Sequence, residues 1–403
     1  MKLALLIEEI IPNDYSVSRC LMLMASGFVQ RGHEVTVMVG RAPTWLKPDD
    51  ITLQRWPDAP RKRPINPVPF ATWAHHEIDA GGFDASISLS TRVPASIVYA
   101  RKGTFREFID RCRVLESVIS ANGMNGATSA DKRRRNQWLK LERQCVNDPR
   151  VQHWVAPSPY VCEQLNDHYG LTDQVKTIAD RIALSNVDLA QRRHWRDHTR
   201  QALGIAPDET VYLFLAHHPL LGGVETLLRA IIALEQRDVR PGGNDFSVML
   251  AGWIDFPLAE HIAQLGLRKR IRIIGRSNQR EQLCATADAL VIPAYFDPFS
   301  ITVTEAQLAA VPTITSRYDG ASAIAGKAPN LSVLDDPADS DALAASMATA
   351  VESTSPTPAT LAARALAELL DPDQTIKEFE KLLKSLSLRE RVAAPKRSEE
   401  ADR

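Results

Sequence analysis

Residues 287–316 constrain the fold most. Ala289, Leu290, Val291 and Ile292 form an apolar run long enough for a buried strand and too short for a helix, and Pro293 closes it. A loop follows with Asp297-Pro298-Phe299-Ser300, and then residues 301–310 carry apolar side chains at helical spacing. Ser300 stands at the N-cap position of that helix. A second strand over 312–316 comes at once, and Asp319-Gly320 turns the chain again. Strand, helix and strand in this order are the repeating unit of an α/β protein. The unit also points a helix N-terminus, with its unpaired N–H groups, out over the sheet edge. That is a ready site for an anion. Two carboxylates flank it, Asp297 in the loop and Glu305 in the second turn of the helix.

The same alternation runs through the chain. Residues 3–7 read as a buried strand, 18–30 as a helix with Leu21, Met22, Met24, Ala25 and Phe28 on its apolar side, and 34–39 as the next strand after Gly32. Residues 42–80 hold seven prolines and read as short strands and connections. His75-His76 in this segment are adjacent, so on a helix they point different ways, and no metal set forms around them. Strands are expected over 84–89, 151–156 and 175–178, with Ser158-Pro159 starting a helix at N-cap and N1. A charged linker over 188–200 leads to further strands at 211–216, 247–251, 271–274 and 331–334. Helices are expected over 281–287, 339–351, 361–370 and 375–386.

The stretch from Asp297 to Glu305 resembles the nucleotide-sugar site of retaining GT-B glycosyltransferases of family 4, and most of all the lipopolysaccharide-core glucosyltransferases. Their pattern is a carboxylate, seven residues and a Glu; here Asp297 and Glu305 keep the spacing, with Asp in the first place. The resemblance extends over Arg31-Gly32-His33, Tyr169-Gly170, Leu203-Gly204-Ile205 and Gly223-Val224-Glu225, and covers residues 1 to about 385. It implies an α/β, GT-B architecture of two Rossmann-like domains facing each other across a cleft. The implied divisions are an acceptor domain at 1–185, a nucleotide-sugar domain at 186–370, a crossover helix at 371–388 that returns to the first domain, and a disordered tail at 389–403. It implies that Asp297 touches the donor sugar as the catalytic carboxylate and that Glu305 holds the ribose. Ser300, Ile301 and Thr302 would hold the diphosphate, Gly275, Arg276 and Ser277 would meet the base, and His217 and His218 would stand near the phosphates. No cofactor and no metal are implied; the nucleotide-diphosphate sugar is a co-substrate.

The sequence departs from the family at the cleft. The loop after residue 216 reads His217-His218-Pro219-Leu220-Leu221-Gly222-Gly223, so the family's diphosphate-neutralising Arg and Lys fall on Leu221 and Gly222. The first loop has Asp14-Tyr15-Ser16-Val17-Ser18 in place of two glycines, Ala179-Asp180-Arg181 loses another, and an acceptor-side Asp falls on Ile97. Two charge-assisted phosphate contacts are worth roughly 1.5–3 kcal/mol each, so their loss matters. Two readings follow. One is a glycosyltransferase with a rewired phosphate clamp acting on a cell-envelope lipid or saccharide acceptor. The other is a catalytically degenerate paralogue that binds or scaffolds.

Composition excludes several other classes. A net charge of −1 carries no nucleic-acid signature. Five scattered cysteines, none in a Cys-x-x-Cys pair, form neither a disulfide framework nor a zinc site and suit a reducing cytosol. The first residues lack the pattern of a signal peptide, and no apolar run has the length of a membrane span, so a cytoplasmic protein is expected. Residues 101–143 carry eleven basic and five acidic residues. They read either as a solvated helical hairpin or as a basic amphipathic face resting on an anionic membrane, with 122–129 as the mobile loop between its helices.

Overall fold

The computed structural model describes residues 1–11, 17–44, 46, 49–60, 65–120, 129–179, 189–277, 279–327, 330–351 and 371–393. The first half forms a seven-stranded sheet of β1 (Lys2–Glu9), β2 (Glu34–Arg41), β3 (Thr52–Arg55), β4 (Ala85–Ser88), β5 (Ile97–Tyr99), β6 (His153–Ala156) and β7 (Val175–Thr177), in the order β3-β2-β1-β4-β5-β6-β7. Its helices are α1 (Val17–Gln30), α2 (Pro67–Gly81), α3 (Phe105–Ser120), α4 (Ser129–Val146) and α5 (Pro159–Tyr169). The second half opens with α6 (Leu189–Ala202) and continues through β8 (Thr210–Ala216), α7 (Val224–Gln236), β9 (Phe246–Gly252), α8 (Phe256–Gln264), β10 (Ile271–Gly275) and α9 (Arg280–Thr286). β11 (Ala289–Val291), α10 (Ile301–Leu308), β12 (Thr313–Ser316), β13 (Leu331–Leu334) and α11 (Ser340–Ala350) complete it. The six strands lie in the order β10-β9-β8-β11-β12-β13. Every pairing in both sheets is parallel, so the chain is α/β with two Rossmann-like units.

Parallel strands covered on both faces are apolar in their middles, and β1, β2 and β8 bury continuous runs of five, six and five residues. The last helix, α12 (Pro372–Ala393), crosses back to the first domain as expected. Its Phe379, Leu382, Leu383 and Leu386 join the core that holds Leu21, Phe28 and Tyr99. Phe379 meets Tyr99 edge-on at 5.3 Å and Phe28 at 6.4 Å. A Cβ on Gly27 would lie 2.6 Å from Ile376 Cγ1, so α1 and α12 touch backbone to side chain at that point. Polar clasps flank the contact. Glu380 accepts from Arg31 at 2.9 Å and pairs with His33 Nε2 at 3.0 Å. His33 is therefore structural, on an interhelical contact rather than in a cleft.

Three expectations are corrected. Residues 42–80 are not all short strands and connections, because α2 fills Pro67–Gly81. Pro67 occupies the first helical position, where its missing N–H costs nothing, and Asn66 caps the helix by accepting from Val68 N. The charged linker over 188–200 is largely α6, whose Arg196 and Arg200 pair with Asp288 at 2.6 and 3.4 Å. The final helix takes in residues 389–393, assigned to the tail on composition; Leu388 and Val392 stand four apart and continue the helical spacing. Of the expected mobile loop at 122–129, Ser129 begins α4; its residues 122–128, the first-loop residues 14–16, Asp180 and Arg181, the helix at 361–370 and the tail beyond 393 lie outside the described residues.

The basic segment 101–143 forms the hairpin of α3 and α4. Four of its basic side chains pair with acids of the same hairpin: Arg106 and Arg113 with Asp110, Arg111 with Glu107, and Arg135 with Glu116. Buried Glu142 of α4 accepts from the amides of Phe105 and Arg106 at 2.7 and 3.0 Å, and so caps α3 from its neighbour. Thr91 Oγ1 and Tyr169 Oη donate to the same carboxylate, each at 2.5 Å. Among the described residues no helix is long and apolar enough to cross a membrane.

Candidate donor site

The site is built at the end of β11. Pro293 and the residues after it leave the sheet, and Tyr295 N donates to Leu221 O at 2.7 Å, joining this loop to the one before α7. Ser300 then starts α10. Its Oγ accepts from Val303 N at 3.2 Å, and its own N–H donates to Asp319 Oδ1 at 3.2 Å. The amides of Ile301 and Thr302 have no protein acceptor among the described residues. The capped N-terminus anticipated from Ser300 is thus present, and its first two amides are left without an acceptor among the described residues.

The two carboxylates of the motif have different surroundings. Asp297 is partly buried and accepts from Phe299 N at 3.1 Å. Its backbone pairs with Asp319, a fully buried residue that also accepts from Thr315 Oγ1 and Ala321 N at 3.0 and 2.8 Å. Burial raises the Asp297 carboxyl above its usual range, and the Arg101 guanidinium pulls it part of the way back. Asp319 is raised further, by burial first and by the neighbouring Asp297 charge second. Two carboxylates in one low-dielectric pocket do not both ionise readily, so each raises the other while the donors from Ser300, Thr315 and Ala321 oppose the rise at Asp319.

The loop that carries Asp297 is clamped to the first domain. Phe296 packs edge-on against Phe108 of α3 and Tyr160 of α5, with ring centres 5.7 and 6.3 Å apart. Ser158 Oγ, the N-cap of α5, donates to Pro298 O at 2.8 Å. Arg111 lies over the Tyr318 ring at 3.9 Å. A Cβ on Gly320 would stand 1.8 Å from Pro298 O and 2.4 Å from Ser158 Oγ, so only glycine fits between the two domains there.

Glu305 lies on the other side of α10. Arg280 reaches it at 2.9 Å and Arg19, from the first domain, at 3.7 Å. The same Arg280 donates to Thr302 Oγ1 at 2.8 Å. Burial raises the Glu305 carboxyl, and the two guanidiniums oppose that rise. These groups line a cavity of about 430 Å³, together with Trp195 and residues 279–282. Its volume falls in the roughly 300–1,000 Å³ range of small-molecule sites.

The other expected residues fall nearby but are not all brought together. Gly275 turns the chain at φ 74° at the end of β10. Arg276 stacks on Trp253 at 4.1 Å, and Ser277 Oγ accepts from Gln279 N at 3.1 Å, just before α9 begins with Arg280. His217 and His218 are exposed in the loop after β8, edge to face at 4.6 Å. Neither they nor Asp297 line the Glu305 cavity. Gly223 ends the loop at φ 85°, where a Cβ would stand 2.1 Å from Pro293 O. Ile97 is fully buried in β5, so its position faces the core of the sheet and not the cleft. Among the described residues no cluster of His, Cys, Asp or Glu could hold a metal ion.

Arg19, Arg280 and Asp319 were not anticipated. A signal existed for the two arginines. Both stand in the first turn of a helix, where the macrodipole disfavours a cation by about 0.3–1 kcal/mol. Asp319 read only as a turn residue.

Comparison with known proteins identifies the family. Residues 17–180 match the family described as Glycosyltransferase Family 4, and residues 196–367 match Glycosyl transferases group 1. The uncharacterized glycosyltransferase MJ1607 of Methanocaldococcus jannaschii is 27% identical over 310 residues, covering 74% of this chain and 75% of that protein. The D-inositol 3-phosphate glycosyltransferase of Corynebacterium diphtheriae is 26% identical over 53% of this chain and 49% of that protein. Among solved structures, WaaG, a glycosyltransferase involved in lipopolysaccharide biosynthesis, superposes with a TM-score of 0.70 at 18% identity, covering 94% of this chain and 99% of that one. Anabaena Alr3699/HepE, solved with UDP, superposes at 0.68 with 16% identity, over 96% and 100% of the two chains. The architecture is GT-B, and the chain is a glycosyltransferase of group 1 and family 4.

Proposed function

We propose that this family 4 glycosyltransferase binds a nucleotide-diphosphate sugar across the α10 N-terminus and transfers the sugar, with retention, to a cell-envelope lipid or saccharide. The observation that carries the reading is Glu305. It is a partly buried carboxylate one turn into a helix whose first amides have no acceptor among the described residues, at the wall of a cavity that receives side chains from both domains. A carboxylate there accepts from paired ribose hydroxyls, while the amides of Ile301 and Thr302 meet the diphosphate. Negative charge grows on the diphosphate as the glycosyl bond breaks, and donors already aimed at it lower that barrier without reorganising. Asp297, the proposed sugar-side carboxylate, is held in place by Asp319 and Arg101. In Anabaena Alr3699/HepE the ligands are UDP, glucose and UDP-glucose, which makes uridine donors the first to try.

A second reading has its own support. The loop from His217 to Gly223 carries no Arg or Lys, and the Asp297 loop is packed against α3 and α5. A protein that binds the nucleotide or a glycan without turnover would show these features. The test is release of nucleoside diphosphate from UDP-, GDP- and ADP-glucose in the presence of lipid and saccharide acceptors, with Asp297→Asn beside the wild type. Release that depends on acceptor and falls at least a hundredfold in the variant supports transfer. Nucleotide binding with no release from any donor selects the binding protein.

A further inference from the structure

We infer that the indole of Trp195 stacks on the nucleobase of the donor, so that diphosphate, ribose and base lie in that order from the N-terminus of α10 to α6. This rests on the donor reading of the α10 site. Trp195 belongs to α6 and stands in the wall of the 430 Å³ cavity that also holds Glu305. Its side chain is partly buried, yet it joins none of the apolar clusters of either domain. Among the described residues the indole makes no hydrogen bond, ring contact or cation–π contact. A tryptophan side chain is ordinarily held by apolar neighbours and a partner for its N–H. This one is set instead against a polar cavity, with its ring unused by the fold.

The rest of the wall suits the same ligand. Its charges balance, Arg19 and Arg280 against Glu281 and Glu305, so the cavity favours an uncharged polar ring over a further phosphate. A nucleobase has an apolar face for an indole and a polar rim. The rim meets amides. Gln279 caps α9 and Gln282 follows three residues on, so both lie on one helix face. Gln282 Nε2 donates to Thr199 Oγ1 at 2.8 Å, which fixes the amide and leaves its Oε1 to accept from a base. The Gln279 side chain has no partner among the described residues and offers both a donor and an acceptor. Arg280 touches Glu305 Oε2 at 2.9 Å and Thr302 Oγ1 at 2.8 Å, so the cavity adjoins the first turn of α10. A ribose on Glu305 then stands between the α10 amides and Trp195. Arg276, the base contact implied by the resemblance, does not line this cavity; its guanidinium lies on Trp253 at 4.1 Å instead.

The test titrates UDP, GDP and ADP into wild type, Trp195→Ala, Trp195→Phe and Trp253→Ala, and follows heat and tryptophan emission together. A base stacked on an indole quenches its emission. The chain has seven tryptophans, so the difference between wild type and Trp195→Phe isolates this one. Stacking predicts that Trp195→Ala weakens the best-bound diphosphate about fivefold or more, that Trp195→Phe keeps it within about threefold, and that the quench seen in wild type is missing from Trp195→Phe. Trp253→Ala should keep both affinity and quench. A loss below about fivefold in Trp195→Ala, no quench in saturated wild type, a full quench in Trp195→Phe, or an equal loss in Trp253→Ala overturns the stack and leaves the donor site standing. Absence of binding by the wild type to every nucleotide overturns both. Melting temperatures of the unliganded variants separate lost contacts from lost folding, and the Trp195→Phe comparison stands whether or not Trp195→Ala folds.

Discussion

Acidification should loosen the last helix before it unfolds the rest. Glu380 joins α12 to the first domain through Arg31 at 2.9 Å and His33 at 3.0 Å. The hydrogen bond from Arg31 is the main reason its carboxyl drops from 4.5 to about 2, with that from His33 assisting. A fall of that size corresponds to a ceiling of about 3 kcal/mol at 1.36 kcal/mol per unit. Arg31 is one-third exposed (32%), and solvent screening brings the contribution to roughly 1–2 kcal/mol. The folded value is depressed, so this stability is fully present above about pH 4.5 and is lost as pH falls toward about 2. Urea unfolding of wild type and Glu380→Gln measures it. The wild type should be more stable by roughly 1–2 kcal/mol at neutral pH, and well over half of that advantage should be gone near pH 3.5. An advantage that stays constant from neutral pH to about pH 3.5 would refute the reasoning, because an uncoupled carboxylate has no such window.

Two further substitutions test the parts that position the site. Gly223→Ala puts a Cβ into a φ of 85° and 2.1 Å from Pro293 O, so it should cost about 3 kcal/mol or more in the second domain, read as a lowered denaturation midpoint; a change below about 0.5 kcal/mol would show that the loop relaxes freely. Glu142→Ala leaves the amides of Phe105 and Arg106 and the hydroxyls of Thr91 and Tyr169 without their shared acceptor, an expected loss of about 3–5 kcal/mol. Glu142→Gln keeps an acceptor oxygen and should lose less in the same denaturation series.

Local signals placed most of the fold. Apolar runs at β1, β8 and β11, the Ser158-Pro159 start of α5 and the Ser300 start of α10 are written in short windows, and the structure keeps them. The failures have physical causes. Seven prolines between 42 and 80 read as breaks, yet Pro67 and Pro69 lie in the first turn of α2, where proline is tolerated. The charges of 188–200 read as a solvated linker, yet Arg196 and Arg200 are drawn to Asp288 at the start of β11, a partner about ninety residues away. The site divides in the same way. Asp297 and Glu305 were legible because they stand eight positions apart in one short loop-and-helix window. Arg19, Arg280 and Asp319 reach the site from other elements, and no local window shows that Arg19 of α1 meets Glu305 of α10. Departures from the family at Leu221 and Gly222 were visible in the sequence alone.

The central claim is that Glu305 and the α10 N-terminus hold a nucleoside diphosphate. Calorimetric titration with UDP, GDP and ADP and their glucose forms, on wild type and Glu305→Ala, tests it directly. The account predicts micromolar binding of at least one of them and a loss of about tenfold or more in the variant, the worth of one charged hydrogen-bond acceptor. No heat from any nucleotide up to millimolar concentration, or equal affinity in the variant, would contradict it.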